Sequence, residues 1–256
     1  MEVEDDNATD ETSSTISLCA GRQICIVGEC TSDSRIVQAA NNFGLPVLFE
    51  DWNADWQKYD CPTVFILPEF KECEKIQKPG HSILGPTALL ELAEKNAPIP
   101  SIKRPLYSHA MDGLVVCFTG FREKTTLAKL MVLVHNMGGH IRKEMVSRVT
   151  HLIAHCCGGE KYQYALTFRV AIMNESWVHF AWSNKNTPFF SATAPEIING
   201  HKLQVFSGAR ICFVGFPLEE KNHMIEILVQ NGGEPTDLND PMCTHIGLIC
   251  THGNSP

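Results

Sequence analysis

The sequence predicts an α/β protein of tandem repeats, each a small parallel sheet flanked by helices, with a third repeat that is truncated. Three observations carry this. A short apolar run ending in glycine occurs three times: Ile24-Cys25-Ile26-Val27-Gly28, Val116-Cys117-Phe118-Thr119-Gly120 and Ile211-Cys212-Phe213-Val214-Gly215. The copies lie 92 and 95 residues apart, counted from cysteine to cysteine, a period too long for a solenoid and suited to whole domains in tandem. Behind each run comes a stretch of helical period closed by glycine and then a second strand signal, and strand, crossover helix, strand is the grammar of a parallel sheet.

The elements follow in phase. After the first run, a single Gly44 closes the helical stretch and Cys61-Pro62-Thr63-Val64-Phe65-Ile66-Leu67 reads as a weak second strand. In the middle copy Leu127, Leu130, Met131, Val134 and Met137 hold helical spacing, and Gly138-Gly139 suits the left-handed backbone that ends a helix. The second strand is Val149-Thr150-His151-Leu152-Ile153-Ala154. A turn at Gly158-Gly159, a helix starting near Lys161, the apolar run Val170 to Met173 and a last helix capped by Asn174 and bearing Trp177, Ala181 and Trp182 complete a β-α-β-β-α-β-α unit. The third copy repeats the helix through Met224, Ile227 and Leu228, the pair Gly232-Gly233, and the strand from Cys243 to Leu248. Its own tryptophan helix is missing before Pro256, which leaves an apolar face and a sheet edge uncovered. The expected boundaries are a disordered acidic tail at 1–20, a divergent repeat at 21–100, a linker at 101–112, the middle repeat at 113–190, a linker at 191–207 and a partial repeat at 208–256.

Composition narrows the function classes. A chain of 256 residues with 44% hydrophobic content buries real cores, as two or three compact units. The net charge of −8 excludes a general polyanion binder, so no nucleic acid is expected as a partner. That charge is concentrated: of 29 acidic residues six fall in residues 1–11, leaving 23 against 21 basic residues over the rest. Eleven cysteines, an odd number without a signal peptide, read as reduced thiols of the cytosol or nucleus, with Cys25, Cys117 and Cys212 acting as small buried hydrophobes. No apolar stretch reaches the ~20 residues that cross a bilayer, so no membrane span is expected.

With the glycine pair, the threonine-histidine strand and the tryptophan helix in order, the middle repeat resembles a BRCT domain. The runs Arg104-Pro105-Leu106-Tyr107, Cys117 to Arg122, Leu133-Val134-His135, Ile141-Arg142-Lys143, Val149 to Leu152 and Gly159-Glu160-Lys161 are similar to the amino-terminal BRCT region of the Pebble/epithelial-cell-transforming class of Rho guanine-nucleotide exchange factors. The resemblance covers roughly Arg22 to Cys250. It implies three consecutive BRCT units ahead of an exchange module that this chain lacks, so the chain itself is expected to be no enzyme and to need no cofactor.

In phosphopeptide-reading BRCT domains a Ser/Thr-Gly pair ends the first strand and a Lys opens the second helix; Thr119, Gly120 and Lys161 match these positions. A phosphoryl group carries about −1.5 to −2 charges and three acceptor oxygens. A hydroxyl, a backbone N–H and an ammonium at a positive helix terminus answer it, each charged contact contributing ~1.5–3 kcal/mol. Arg122, Arg142 and Lys143 are auxiliary candidates. The other copies carry Val27 and Val214 where Thr119 stands and have no hydroxyl to donate.

Other constellations are weaker. Cys243-x-His245 with Cys250-x-His252, and His151-x-x-x-His155-Cys156-Cys157, lack the spacing of structural zinc sites, and no metal is expected. Gly120 to Thr126 lacks the glycines of a phosphate loop. By resemblance, the expected partner is a phosphorylated segment of the centralspindlin Rac/Rho GTPase-activating subunit, and the region restrains its own exchange domain in cis. The expected location is the nucleus in interphase, and the cytoplasm, central spindle and cleavage furrow in division. The rival readings are a BRCT scaffold of DNA-damage signalling and an enzyme directed at nucleotides or GTPases.

Overall fold

A computed structural model describes residues 21–70, 73, 76 and 79–249 of the chain; the acidic tail at 1–20 and the Cys250/His252 pair lie outside these residues. Three parallel sheets follow one another along the chain.

In the first, β1 (Gln23–Val27) lies between β2 (Val47–Glu50) and β3 (Thr63–Ile66), and β4 (Ser82–Leu84) extends the sheet beyond β3. Helices α1 (Ser34–Asn41) and α2 (Pro86–Glu94) pack together on one face with Ile24, Ile26, Val64 and Ile66. The opposite face is closed by Tyr59, Phe65, Cys73 and Ile76 around Cys25.

The second sheet has the order β6-β5-β7-β8, from β5 (Val115–Thr119), β6 (His140–Arg142), β7 (His151–Ala154) and β8 (Ala171–Met173). Its helices α3 (Lys124–Asn136), α4 (Glu160–Thr167) and α5 (Ser176–Ser183) complete the β-α-β-β-α-β-α unit. Alternation along the strands sorts the faces. Val116, Phe118 and Ile153 meet Leu130 and Val134 of α3 and Trp177, Val178 and Ala181 of α5, while Cys117, Leu152 and Ala154 meet Ala165 and Tyr162 of α4.

The third sheet sets β9 (Arg210–Val214) between β10 (Glu234–Pro235) and β11 (His245–Leu248), with α7 (Leu218–Gln230) after β9. Ile246 is 51% exposed and Leu248 62% exposed, so the apolar face expected to lack a cover is open among the described residues.

The recurring motif is the central strand of each sheet, flanked on both sides by strands; β1 and β5 are buried along most of their length, whereas in β9 only Cys212 is buried. Cys25, Cys117 and Cys212 are buried there, and all nine described cysteines are free thiols. The two glycines after α3 have different duties. Gly138 takes φ +84°, and Gly139 lies where a Cβ would stand 2.7 Å from Val134 Cγ1. Gly232 and Gly233 divide the work in the same way after α7, with φ +85° at the first and Leu228 against the second.

The connecting stretches are packed rather than free. Leu106 bridges Leu84 at the sheet edge, Tyr107 is 2% exposed, and the single Tyr107 hydroxyl proton is shared between Pro68 O at 3.0 Å and Asn186 Oδ1 at 2.7 Å. The stretch 191–207 holds α6 (Pro195–Gly200), and Ala192 O accepts the indole N–H of buried Trp177 at 2.9 Å. The tryptophan core therefore depends on chain beyond its own helix. Asn174 acts one residue earlier than a helix cap, its Oδ1 accepting from Ser176 N at 2.9 Å. No helix among the described residues is long and apolar enough to cross a membrane.

Candidate phosphate-binding site

The site forms at the carboxyl end of β5, where the central strand leaves the sheet and its backbone turns. Thr119 is the last strand residue, paired in register with Ala154, and is half-buried. Gly120 is exposed at φ +81°, where a Cβ would approach Cys156 Sγ to 3.3 Å and Cys156 N to 3.4 Å. Glycine is needed there both for the backbone angle and for the close pass of the 155–156 backbone. Facing this turn is the start of α4. Gly158 and Gly159 both have positive φ, and no side chain caps the helix, so its first N–H groups meet no side-chain acceptor.

Lys161 reaches back from the first turn of α4 to β5. Its Nζ donates to Phe118 O at 3.2 Å and, in a very short bond, to Lys143 O. The Phe118 carbonyl belongs to the peptide that leads into Thr119, so the ammonium sits beside the Thr119-Gly120 turn. Two of its three protons are engaged by backbone oxygens, and the buried Cys117 sulfur also lies within reach of the ammonium. The Cys117 thiol below is pushed up by burial, and the nearby Lys161 ammonium pulls partly against that shift. The structure thus brings Thr119, Gly120 and Lys161 to one place.

The auxiliary candidates fare differently. Arg122 is exposed on the loop leaving the site and lines a groove of about 880 Å³ toward the third sheet. Arg142 ends β6 in register with Cys117. Lys143 contributes its carbonyl, which anchors both Lys161 and the Cys117 thiol at 3.5 Å. Sequence reading did not single out Cys156 as a wall of the turn; its contact with Gly120 arises between segments 36 residues apart and leaves no local signal.

The other repeats differ at this position. In the first, Val27 is fully buried, and the indole of Trp52 stands over Gly28, its Nε1 2.7 Å from where a Cβ would be. In the third, Gly215 at φ +84° opens to space. Of the histidines weighed as zinc ligands, the His151 ring stacks on Trp177, and His155 lies 3.8 Å from a Glu175 carboxylate oxygen.

The fold is that of a BRCT-repeat protein: the family model for a twin BRCT domain matches residues 114–177. The chain is 36% identical to human Protein ECT2 over 222 residues, 84% of this chain and 24% of that protein, and mouse Protein ECT2 matches to the same extent. It fits the amino-terminal BRCT region of ECT2-class proteins and spans about a quarter of the length of these curated relatives. The BRCT domain-containing protein At4g02110 of Arabidopsis thaliana is 33% identical over 101 residues, 38% of this chain and 7% of that protein. Among solved structures, Rad4 BRCT1,2 in complex with a Crb2 phosphopeptide is similar at a TM-score of 0.47 and 20% identity, covering 55% of this chain and 78% of that one.

Proposed function

We propose that this chain is the phosphopeptide-binding regulatory and targeting region of a Rho guanine-nucleotide exchange factor acting in cytokinesis. One observation supports this most: the Lys161 ammonium is held beside the Thr119-Gly120 turn, opposite the side-chain-uncapped start of α4. A hydroxyl, backbone N–H groups and a cation are the donors that a phosphate requires, and Thr119, Gly120 and Lys161 would supply them. The ligand is a phosphorylated segment of the centralspindlin Rac/Rho GTPase-activating subunit, and the same region restrains the exchange domain in cis until that partner binds. The region is nuclear in interphase and moves to the central spindle and cleavage furrow in division. The chain alone has no exchange activity.

A fluorescence titration with a phosphopeptide from that subunit tests the reading. Wild-type chain is expected to bind the phosphorylated form and to ignore the unphosphorylated one, and Thr119→Ala or Lys161→Met is expected to abolish the difference. Folded variants that bind as tightly as wild type overturn it.

A further inference from the structure

The charge of the chain is unevenly divided among its repeats. Residues 113–190 hold nine Lys and Arg against four acids, a net +5, whereas residues 21–100 hold seven against eleven and residues 208–256 two against six, a net −4 each. The repeat with the phosphate site is thus a positive unit between two negative ones. Nor is its charge cancelled locally. Arg35, Lys58 and Arg210, in the outer repeats, pair with carboxylates, but among the described residues no Lys or Arg of the middle repeat forms an ion pair. Glu123 accepts the Thr125 and Thr126 hydroxyls and Glu175 faces His155, while Glu144 and Glu160 are exposed beside Lys143 and Lys161 in the sequence.

Two of these cations stand beside the phosphate site, on the neighbouring strand. Arg142 is in register with Cys117, two residues before Thr119, and Ile141 next to it is buried with Leu130, Val134 and Trp177. Alternation therefore turns the half-buried Arg142 to the opposite face, where Cys117 meets α4, the helix that carries Lys161. Lys143 follows; it is exposed, and its carbonyl accepts the Lys161 ammonium. Adjacent strands lie ~4.8 Å apart and alternate residues of one strand ~6.6 Å apart, which sets Arg142 roughly 8 Å from the Thr119 turn. An extended peptide covers that in about two or three residues. We propose that Arg142 and Lys143 form a second anion subsite, which reads a carboxylate or a second phosphate two or three residues from the phosphoryl group at Thr119, Gly120 and Lys161. The subsite rests on the phosphopeptide reading and narrows its ligand class to phosphopeptides with an acidic flank. The planar fork of an arginine suits the task, because it pairs with carboxylate or phosphate through two parallel hydrogen bonds. The negative repeats on either side repel such a ligand and the positive middle one attracts it, so the field directs it to this repeat.

Titrations of the full chain with labelled nonapeptides centred on phosphothreonine test the subsite. One peptide has Gly and Ser flanks, one has Glu two and three residues before the phosphothreonine, and one has Glu two and three residues after it; a matched pair carries phosphoserine in place of Glu, and each has an unphosphorylated-threonine control. One acidic flank is expected to bind at least fivefold tighter than the neutral one at 50 mM salt, with a smaller advantage at 300 mM. An advantage with Glu assigns the subsite to a carboxylate, and one with phosphoserine alone assigns it to a second phosphate. Arg142→Gln with Lys143→Gln is expected to bring the acidic-to-neutral ratio to about one, and Lys143→Gln alone, at an exposed position, to lower it at least twofold at an unchanged melting temperature. Lys129→Gln with Arg169→Gln removes the same charge elsewhere in the repeat and is expected to leave the ratio intact. Equal binding of every flank by the wild-type chain overturns the subsite and leaves the phosphate reading standing. A ratio that survives the Arg142 and Lys143 changes, or that falls equally in both double variants, overturns it in favour of a diffuse field. Peptides that bind equally with and without the threonine phosphate overturn the phosphate reading itself, and the subsite with it.

Discussion

His109 Nδ1 lies 2.6 Å from Glu91 Oε2, and the two residues fasten the first repeat to the second. Glu91 is on α2 and 2% exposed; its other oxygen accepts Phe189 N at 2.8 Å from the chain that follows α5. Three segments far apart in sequence thus meet on one buried carboxylate.

That carboxyl is held below the ordinary glutamate range. Burial alone would raise it, but the hydrogen bonds from His109 and Phe189 together with the His109 charge outweigh burial. A depressed folded value stabilises the fold above the unfolded pKa of about 4.3 and is lost as pH falls through the folded value. Urea melts from pH 7 to pH 3 are expected to show this loss below about pH 4.5. Glu91→Gln is expected to cost about 2 kcal/mol at pH 7 and to flatten that acid limb.

A second step is expected nearer neutrality. The His151 ring lies 4.9 Å from Trp177 with 23° between the planes, and burial lowers its pKa. The unfolded imidazole, at about 6.5, takes a proton that the folded one resists, so stability falls as pH drops below that value. His151→Phe keeps a ring against Trp177 and is expected to remove this step from the pH profile. Trp177→Ala, in a fully buried site, is expected to cost about 3–5 kcal/mol by calorimetry.

The glycine pair after α3 separates two kinds of constraint. Gly138→Ala forces a side chain into φ +84° and is expected to cost about 1–2 kcal/mol. Gly139→Ala overpacks against Val134 and is expected to cost about 1–3 kcal/mol. Adding Val134→Ala makes room for the new methyl, so a double-mutant cycle is expected to give less destabilisation than the two single changes added.

Lys161→Met and Thr119→Ala are expected to separate binding from stability. Both lose phosphopeptide binding by about 1.5–3 kcal/mol, tenfold or more. Lys161→Met also takes the ammonium away from the Phe118 carbonyl and leaves the Lys143 carbonyl with the Cys117 thiol alone, and is expected to lower the melting temperature, whereas Thr119→Ala is expected to melt close to wild type. Thr119→Ser, which keeps the hydroxyl, is expected to retain binding.

Much of the fold is legible in the chain. The apolar run around Cys117 repeats around Cys25 and Cys212 because a central strand of a parallel sheet must be apolar on both faces, and Gly138-Gly139 marks a helix end because few residues accept that backbone. The candidate site is legible only as three residue types: Thr119 and Gly120 end a strand, and Lys161 opens a helix 41 residues after Gly120. Their spacing does not encode that the ammonium rests on Phe118 O or that Cys156 walls the turn.

Proline and polar residues make 101–112 and 191–207 read as linkers, yet they supply the Leu106 bridge, buried Tyr107, α6 and the acceptor for Trp177. Local sequence by itself determined the recurring central strand, the helix behind it and the element order of the middle repeat, because periodicity and backbone preference act over a few residues. Tertiary structure alone decided how the repeats are joined and where charges meet. Glu91 with His109, and Arg22 with Pro100, come together by chain closure over 18 and 78 residues, and such distances leave no pattern along the sequence.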